Sequence, residues 1–518
     1  MFEYLRRLAT TGAAYTASSV LSKLIAVFLL PIYTAYLSPS DYGAAEVMLA
    51  SVIAASIVIR LGVIEAILRF YYLAGEDRRQ VVATGFAALF WVSTLAAALA
   101  LPFAGPISEA LLDRDEPALA RLAILGLWTL TLWEYVLALL RLDERARLYF
   151  GLTVANVVVT IPITVYLVAG PELGAEAILI GNFGVGAGFL LWRLWVERRR
   201  LRLGIDRGLL RRMLRFGLPT MPAELTLYSL NFIDRILIVR LAGLAEAGLY
   251  ALAIKFANGM QVLSRGFQLA FPPLAYSIAD DDDARRAYSL IFTWFAALCA
   301  FGVAGLWLLS RTLVDVLAAP EYAEAHTAIG PLATGVALYS MYLVLVVILG
   351  RTGRTEFNFP ATAAGTATNV VLNVILIPPL GIVGAALALI AAYVVVLALM
   401  YALTQRLFPV PYEWGRLALL VAVTAATVGV GEALLPTDGV VAAVTRTALW
   451  LAMPALLWAS GFLTAAERRA LRAMLRPSAV AARLRALRAA QAPDEDTGLR
   501  PGPEVYEAAA RDEDRPGF

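Results

Sequence analysis

Residues 44–73 read AAEVMLASVIAASIVIRLGVIEAILRFYYL. A membrane helix needs roughly 20 apolar residues, so this run can cross a bilayer with length to spare. Four charges stand within it: Glu46, Arg60, Glu65 and Arg69. A charge inside a span costs at least about 2.5 kcal/mol on insertion scales, so it normally faces a wet cavity or a partner. The stretch therefore says two things. The chain is built from membrane helices, and some of them carry charge where a purely structural helix would not.

The rest of the chain repeats the apolar pattern. Of its 518 residues, 60% are hydrophobic and only 16% are charged, with a mean hydropathy of +0.73. Soluble domains carry about 25% charged residues. The deficit excludes a soluble enzyme, a disordered protein and a secreted disulfide scaffold. The lone Cys299 excludes internal disulfides, and the lone His326 excludes a His-rich metal site. Apolar runs between charged or Pro/Gly breaks number about fourteen, from 10–37 to 444–464, and include 213–240 and 246–271. The expected fold is an all-α polytopic membrane protein with about 14 transmembrane helices.

Arginine sets the expected topology. The basic side chains comprise only two lysines, Lys23 and Lys255, and are otherwise arginine. With this span count, arginine-rich loops alternate. Arg6/Arg7, Arg78/Arg79, Arg141/Arg145/Arg147, the run Arg193 to Arg215, Arg285/Arg286, Arg351/Arg354, Arg406/Arg416 and the tail from Arg468 to Arg488 fall on one side. Arg114, Arg121, Arg240, Arg311 and Arg446 fall on the other. Positive residues collect on the cytoplasmic face, so both termini are expected there, in a multi-pass protein of the cell (inner, cytoplasmic) membrane. The first span is read as a retained helix and not a signal peptide.

A shift of about 205 residues superposes several features. Arg6-Arg7 falls on Arg211-Arg212, Asp41-Tyr42-Gly43 on Glu246-Ala247-Gly248 and, at 207, Leu173-Gly174 on Leu380-Gly381. Repeats of like orientation are related by an axis along the membrane normal. The expected organisation is two pseudo-symmetric six-helix lobes, 1–205 and 206–410, plus two extra helices in 411–465. A basic amphipathic segment and disordered tail follow over 466–518. Arg/Ala/Leu spacing in that segment suits either an anionic membrane surface or a solvated topology signal. The acidic stretch from Pro493 onward has little apolar content.

Charges within spans concentrate in spans one, two, seven and eight, the matching pairs of the two halves. Lys23 is near the middle of span one, Arg60, Glu65 and Arg69 lie along span two, Glu224, Asp234 and Arg235 lie on span seven, and Lys255 and Arg265 lie on span eight. Under the shift, Arg60 falls on Arg265, on opposite walls of one central cavity. Guanidinium groups bond two oxygens of a phosphate at once, so Lys23, Arg60, Arg69, Arg235, Lys255 and Arg265 describe a cationic cavity for an anionic passenger. Each position also has a plainer reading. Asp234-Arg235 suits an interfacial ion pair, Glu65 and Arg69 stand at i,i+4 and can neutralise each other, and Glu134 in span four reads as structural. Glu65, Glu224 and Asp234 are the carboxylates available for ion coupling or pairing. No P-loop, nucleotide fold, metal spacing or nucleophile motif occurs. No enzymatic activity, cofactor, metal or nucleic-acid partner is expected.

Two stretches carry a family resemblance. Leu30-Pro31-Ile32-Tyr33-Thr34-Ala35-Tyr36-Leu37-Ser38 running into Asp41-Tyr42-Gly43 resembles the opening of bacterial polysaccharide-biosynthesis flippases. Phe216-Gly217-Leu218-Pro219 with Asp234-Arg235, then Gly248-Leu249-Tyr250-Ala251-Leu252-Ala253, resembles the start of their second lobe. The resemblance covers roughly residues 5–464. It implies membership of the multidrug/oligosaccharidyl-lipid/polysaccharide exporter superfamily and alternating access between lobes. The implied passenger is a polyprenyl-diphosphate-linked oligosaccharide such as an O-antigen or exopolysaccharide unit, moved from inner to outer leaflet. Expected partners are this lipid-linked substrate, the bilayer, a coupling H+ or Na+, and polysaccharide assembly proteins. A lipid II flippase and a multidrug/cation antiporter remain as alternatives, as do a membrane glycosyltransferase or ligase and a non-transporting assembly scaffold. The outer loops are too short for an external catalytic domain.

Overall fold

The computed structural model describes residues 29–73, 77–229, 232–354, 357–465 and 467–469. Among these the regular structure is helical throughout. The first half comprises α1 (Leu30–Tyr36), α2 (Pro39–Arg60), α3 (Val63–Phe70), α4 (Arg78–Ala100), α5 (Ala104–Leu112), α6 (Pro117–Leu142), α7 (Ala146–Ala169), α8 (Ala175–Leu179) and α9 (Val185–Val196). A π-helical turn, Ile180–Gly184, joins α8 to α9. There follow α10 (Arg207–Gly217), α11 (Met221–Ser229), α12 (Ile233–Ala242), α13 (Leu244–Ala257), α14 (Met260–Ser277), α15 (Asp281–Leu317), α16 (His326–Arg351), α17 (Asn358–Leu407), α18 (Trp414–Leu434) and α19 (Gly439–Ala459).

Ten continuous helices in the described residues are long and apolar enough to cross a membrane, fewer than the fourteen expected. Five of the expected spans account for the difference. The first span falls almost wholly outside the described residues. The runs 357–377 and 382–404 lie in one element, α17, bent at Gly381, which takes the non-helical φ 55°, ψ −135°. Span seven is broken where Pro219 and Pro222 cannot continue an α-helix. Span eight tightens to a turn at Asn258-Gly259. Span two is still among the ten as Pro39–Arg60, but it too breaks, at Leu61-Gly62, both left-handed at φ 50° and 67°. Three of the broken spans, two, seven and eight, carry in-span charges, whereas α17 has only Arg406 in its last turn.

Close backbone approaches hold the broken helices together. α2 packs on α13 where Gly43 meets Gly248. A Cβ on Gly43 would stand 2.3 Å from the Leu244 carbonyl oxygen, and one on Gly248 would stand 1.9 Å from that of Pro39. Only glycine permits this contact. Toward the other end of α2, Gly62 meets Gly217 as closely, at 2.0 and 2.1 Å, and brings α3 onto α10. Near the Gly43 contact, Tyr322 Oη donates to the Leu37 carbonyl (2.9 Å) and the Ala319 N–H to Thr34 Oγ1 (3.0 Å). Gly174 takes φ 57°, ψ −135°, almost the values of Gly381, 207 residues on. Each lies beside an acid of an earlier turn, Asp41 and Glu246 respectively. The Glu246 carboxylate accepts from the Ile382 backbone.

Two apolar clusters form the body. The smaller joins α3, α4, α6 and α10 through Ile67, Phe86, Tyr135 and Met213. The larger runs along α2, α13, α15, α16 and α17. Arg446, read from the sequence as marking an outer loop, is instead 2% exposed. It reaches from α19 to Glu432 (2.8 Å) and to the carbonyls of Pro436 and Leu308 (2.9 and 3.2 Å), because its long stem carries the guanidinium to acceptors on α15, on α18 and just beyond α18. Beyond Leu456, Thr464 and Glu467 form a reciprocal capping box at the start of the next helical residues. Most of the expected basic segment and tail, 466–518, lies outside the described residues.

Candidate functional site

The buried charges gather into two clusters along α2. At one end Glu46, 7% exposed, faces Arg235 from α12 and Lys255 from α13. Lys255 Nζ is 2.6 Å from Glu46 Oε1, and Arg235 Nη1 is 3.4 Å from Oε2. Lys255 also lies 4.8 Å from the Tyr42 ring centre, a cation–π contact that shields its charge from lipid. This end carries two cations on one carboxylate. Asp234 beside it is fully buried and accepts from the Tyr250 hydroxyl and from the Arg235 backbone N–H (2.9 Å).

The second cluster lies fourteen residues further along the same helix, about 21 Å at 1.5 Å per residue. Arg60 Nη1 donates to Glu134 Oε2 of α6 (2.6 Å), and Nη2 to Glu224 Oε1 of α11 (2.8 Å). The third guanidinium donor, Nε, bonds the Ser56 carbonyl at 3.3 Å. One guanidinium thus binds two carboxylates from helices on either side of it. The local balance is one cation to two acids.

The remaining sequence candidates are placed as follows. Arg69 is exposed and lies over the Phe216 ring at 4.5 Å. It makes no ion pair with Glu65 among the described residues, so the expected i,i+4 neutralisation does not form. The aromatic face of α10 takes the guanidinium instead, and the two share a cavity of about 340 Å³ with Arg212 and Arg215. Arg265 is exposed on α14 and has no carboxylate partner among the described residues. It does not match Arg60, because span eight breaks before it at Asn258-Gly259 whereas span two breaks just after Arg60. Lys23 lies outside the described residues. Glu46 and Glu134, read as a helix-end and a structural residue, prove to be the partners on which the clusters turn. Only their repeated placement of acid inside apolar spans could have signalled this.

A cavity of about 420 Å³ opens beside the first cluster, lined from α2, α6, α7, the π-helical turn, α9, α11 and α12. Glu46 and Arg235 stand at its edge. α6 lines it with Trp133, next in sequence to Glu134, and α11 with Tyr228, one turn beyond Glu224.

The described residues thus form a helix bundle in which broken helices carry buried charge. Over 87% of its length the chain superposes on 99% of lipid II flippase MurJ in an inward closed conformation, at TM-score 0.68 and 12% identity. An inward-facing multidrug resistance MATE family transporter matches over 77% of this chain and 95% of its own, at TM-score 0.61 and 15% identity. An outward-facing transporter of that family matches over 80% and 95%, at TM-score 0.53 and 14% identity. No curated protein sequence matches. A model of the polysaccharide biosynthesis protein family matches residues 34–327, more than half of the chain. The protein belongs to that family.

Proposed function

We propose that the protein is a flippase carrying a polyprenyl-diphosphate-linked oligosaccharide from the inner to the outer leaflet of the cell membrane. Two six-helix lobes, 1–205 and 206–410, rock about the seam between α2 and α11–α13, and α18 and α19 stand outside the repeat. The Arg-rich face is cytoplasmic. The observation that carries this reading is the Arg60 guanidinium, whose two ends hold paired carboxylate oxygens as they would hold the oxygens of a diphosphate. Family membership and the superfamily fold support it.

The charge balance suggests how the empty carrier closes. Glu134 and Glu224 occupy Arg60 when no diphosphate is present and so spare it the cost of an unpaired buried charge. An arriving diphosphate competes for the same guanidinium. Glu134 and Glu224, displaced from Arg60, are then the carboxylates at which a coupling H+ or Na+ acts. At the first cluster Arg235 and Lys255 are balanced by Glu46 and Asp234, and an anion moving outward from Arg60 meets these two cations next. The prenyl chain stays in lipid.

A second reading has one observation in its favour. The superposition with a lipid II flippase covers nearly all of that protein, and a lipid II cargo uses the same diphosphate chemistry. Reconstituted vesicles test both. Prenyl-diphosphate lipids bearing either a neutral oligosaccharide or the lipid II head group are placed in the inner leaflet, and their arrival outside is followed with a membrane-impermeant probe. Translocation of the first but not the second supports the leading reading, and the converse supports the alternative. Vesicles that translocate neither, with folded protein present, overturn both.

A further inference from the structure

Apart from Glu46 and Arg235 at its edge, the 420 Å³ cavity beside the first ion cluster is lined by groups that diphosphate chemistry does not need. Its volume lies in the roughly 300–1,000 Å³ range of small-molecule sites. Trp133, Phe183 and Tyr228 supply aromatic surface, and Asn156 and Asn182 supply amides. Amides are out of place in membrane spans, because an unpaired polar group there is costly. Asn156 makes no hydrogen bond among the described residues. Asn182 spends one amide hydrogen on the Ile178 carbonyl (2.9 Å) and has no donor to its Oδ1 among them. Tyr228 Oη donates to the Ala50 carbonyl (3.1 Å), which fixes the ring at the wall. The π-helical turn Ile180–Gly184 inserts an extra residue at the point where Asn182 and Phe183 meet the cavity. Such turns often re-aim side chains at functional sites.

Flat aromatic faces beside uncharged amides match one ligand chemistry well. A pyranose ring offers apolar C–H faces for stacking and hydroxyls or an acetamido group for hydrogen bonding. A lipid tail would leave the amides unpaired. We infer that this cavity is the subsite for the uncharged sugar next to the diphosphate, a hexose or N-acetylhexosamine. Trp133 is its stacking platform, and Asn156 and Asn182 are its hydrogen-bonding specificity residues. The inference rests on the flippase reading and extends it, because it gives sugar and diphosphate different residues.

The test is direct binding to the full-length protein in nanodiscs. Two probes are compared, a short-chain prenyl diphosphate with no sugar and the same lipid carrying one N-acetylhexosamine. Wild type should prefer the sugar-bearing lipid. Asn156→Leu and Trp133→Leu should each cut that preference about fivefold or more, the equivalent of one neutral hydrogen bond or stacking contact. Affinity for the bare lipid should stay within about twofold. Trp133→Phe, which retains a stacking face, should keep most of the preference, and that separates lost recognition from lost folding. Wild type that binds both lipids equally overturns the sugar subsite and leaves the flippase reading standing. Variants that lose both lipids in parallel do the same. Wild type that binds neither lipid overturns the subsite together with the reading it rests on.

Discussion

Arg60 offers the sharpest test, because its structural and functional roles separate. Arg60→Met leaves Glu134 and Glu224 facing each other without their shared cation. Each charge-assisted bond is worth about 1.5–3 kcal/mol when desolvated. The Arg60 side chain is only 12% exposed, but those of Glu134 and Glu224 are 32% and 41% exposed. Solvent therefore recovers much of the loss, and a net destabilisation of about 2 kcal/mol is expected. The triple variant Arg60→Met/Glu134→Gln/Glu224→Gln leaves no uncompensated charge and should regain most of that stability. It should not regain transport, because no guanidinium is left for the diphosphate. Thermal melts of detergent-solubilised protein read the first quantity, and translocation of a prenyl-diphosphate glycan in vesicles reads the second. Recovery of transport together with stability would refute the reasoning, since Arg60 would then be only a structural tie. So would wild-type transport by the folded single variant.

Three further outcomes follow from the geometry. Gly248→Ala places a methyl 1.9 Å from the Pro39 carbonyl oxygen, so α2 and α13 must part and the melting temperature should fall by the equivalent of about 1–3 kcal/mol. Gly174→Ala and Gly381→Ala force alanine into almost the same φ/ψ and should each cost about 1–3 kcal/mol; a loss at only one of them, in paired melts, would show that the two breaks are not equivalent. Outside the spans, burial alone would raise the Asp143 carboxyl, but hydrogen bonds from Arg200 and Tyr71 more than offset it and hold the group below its usual range. Its stabilising contribution is therefore complete above the ordinary aspartate pKa and is lost as pH falls through the lowered value. Melting temperature followed from neutral to acid pH should fall less steeply in Asp143→Asn than in wild type.

Much of the helical architecture was legible because it depends on local properties. Apolar length locates helices, and Pro219, Pro222 and Gly381 mark where they break, since backbone geometry acts on the residue itself. The 207-residue offset pointed to Gly174 and Gly381, which share one backbone conformation. The site was legible only by composition. Periodicity puts Arg60 on a face of α2 but cannot name the residue opposite, and the pairing of Arg60 with Arg265 failed for that reason. One charged helix breaks before its arginine and the other after it.

The sequence by itself therefore determined the solvent, the helices, their breaks and which of them carry charge. These follow from transfer free energies and backbone sterics, which each short segment obeys alone. Only the tertiary structure decided that Arg60 is held by acids 74 and 164 residues away, that Glu46 ties Arg235 to Lys255, and that amides and aromatics from four helical segments share one cavity. Charge pairing depends on distance in space, and the chain brings those residues within reach only when its helices pack.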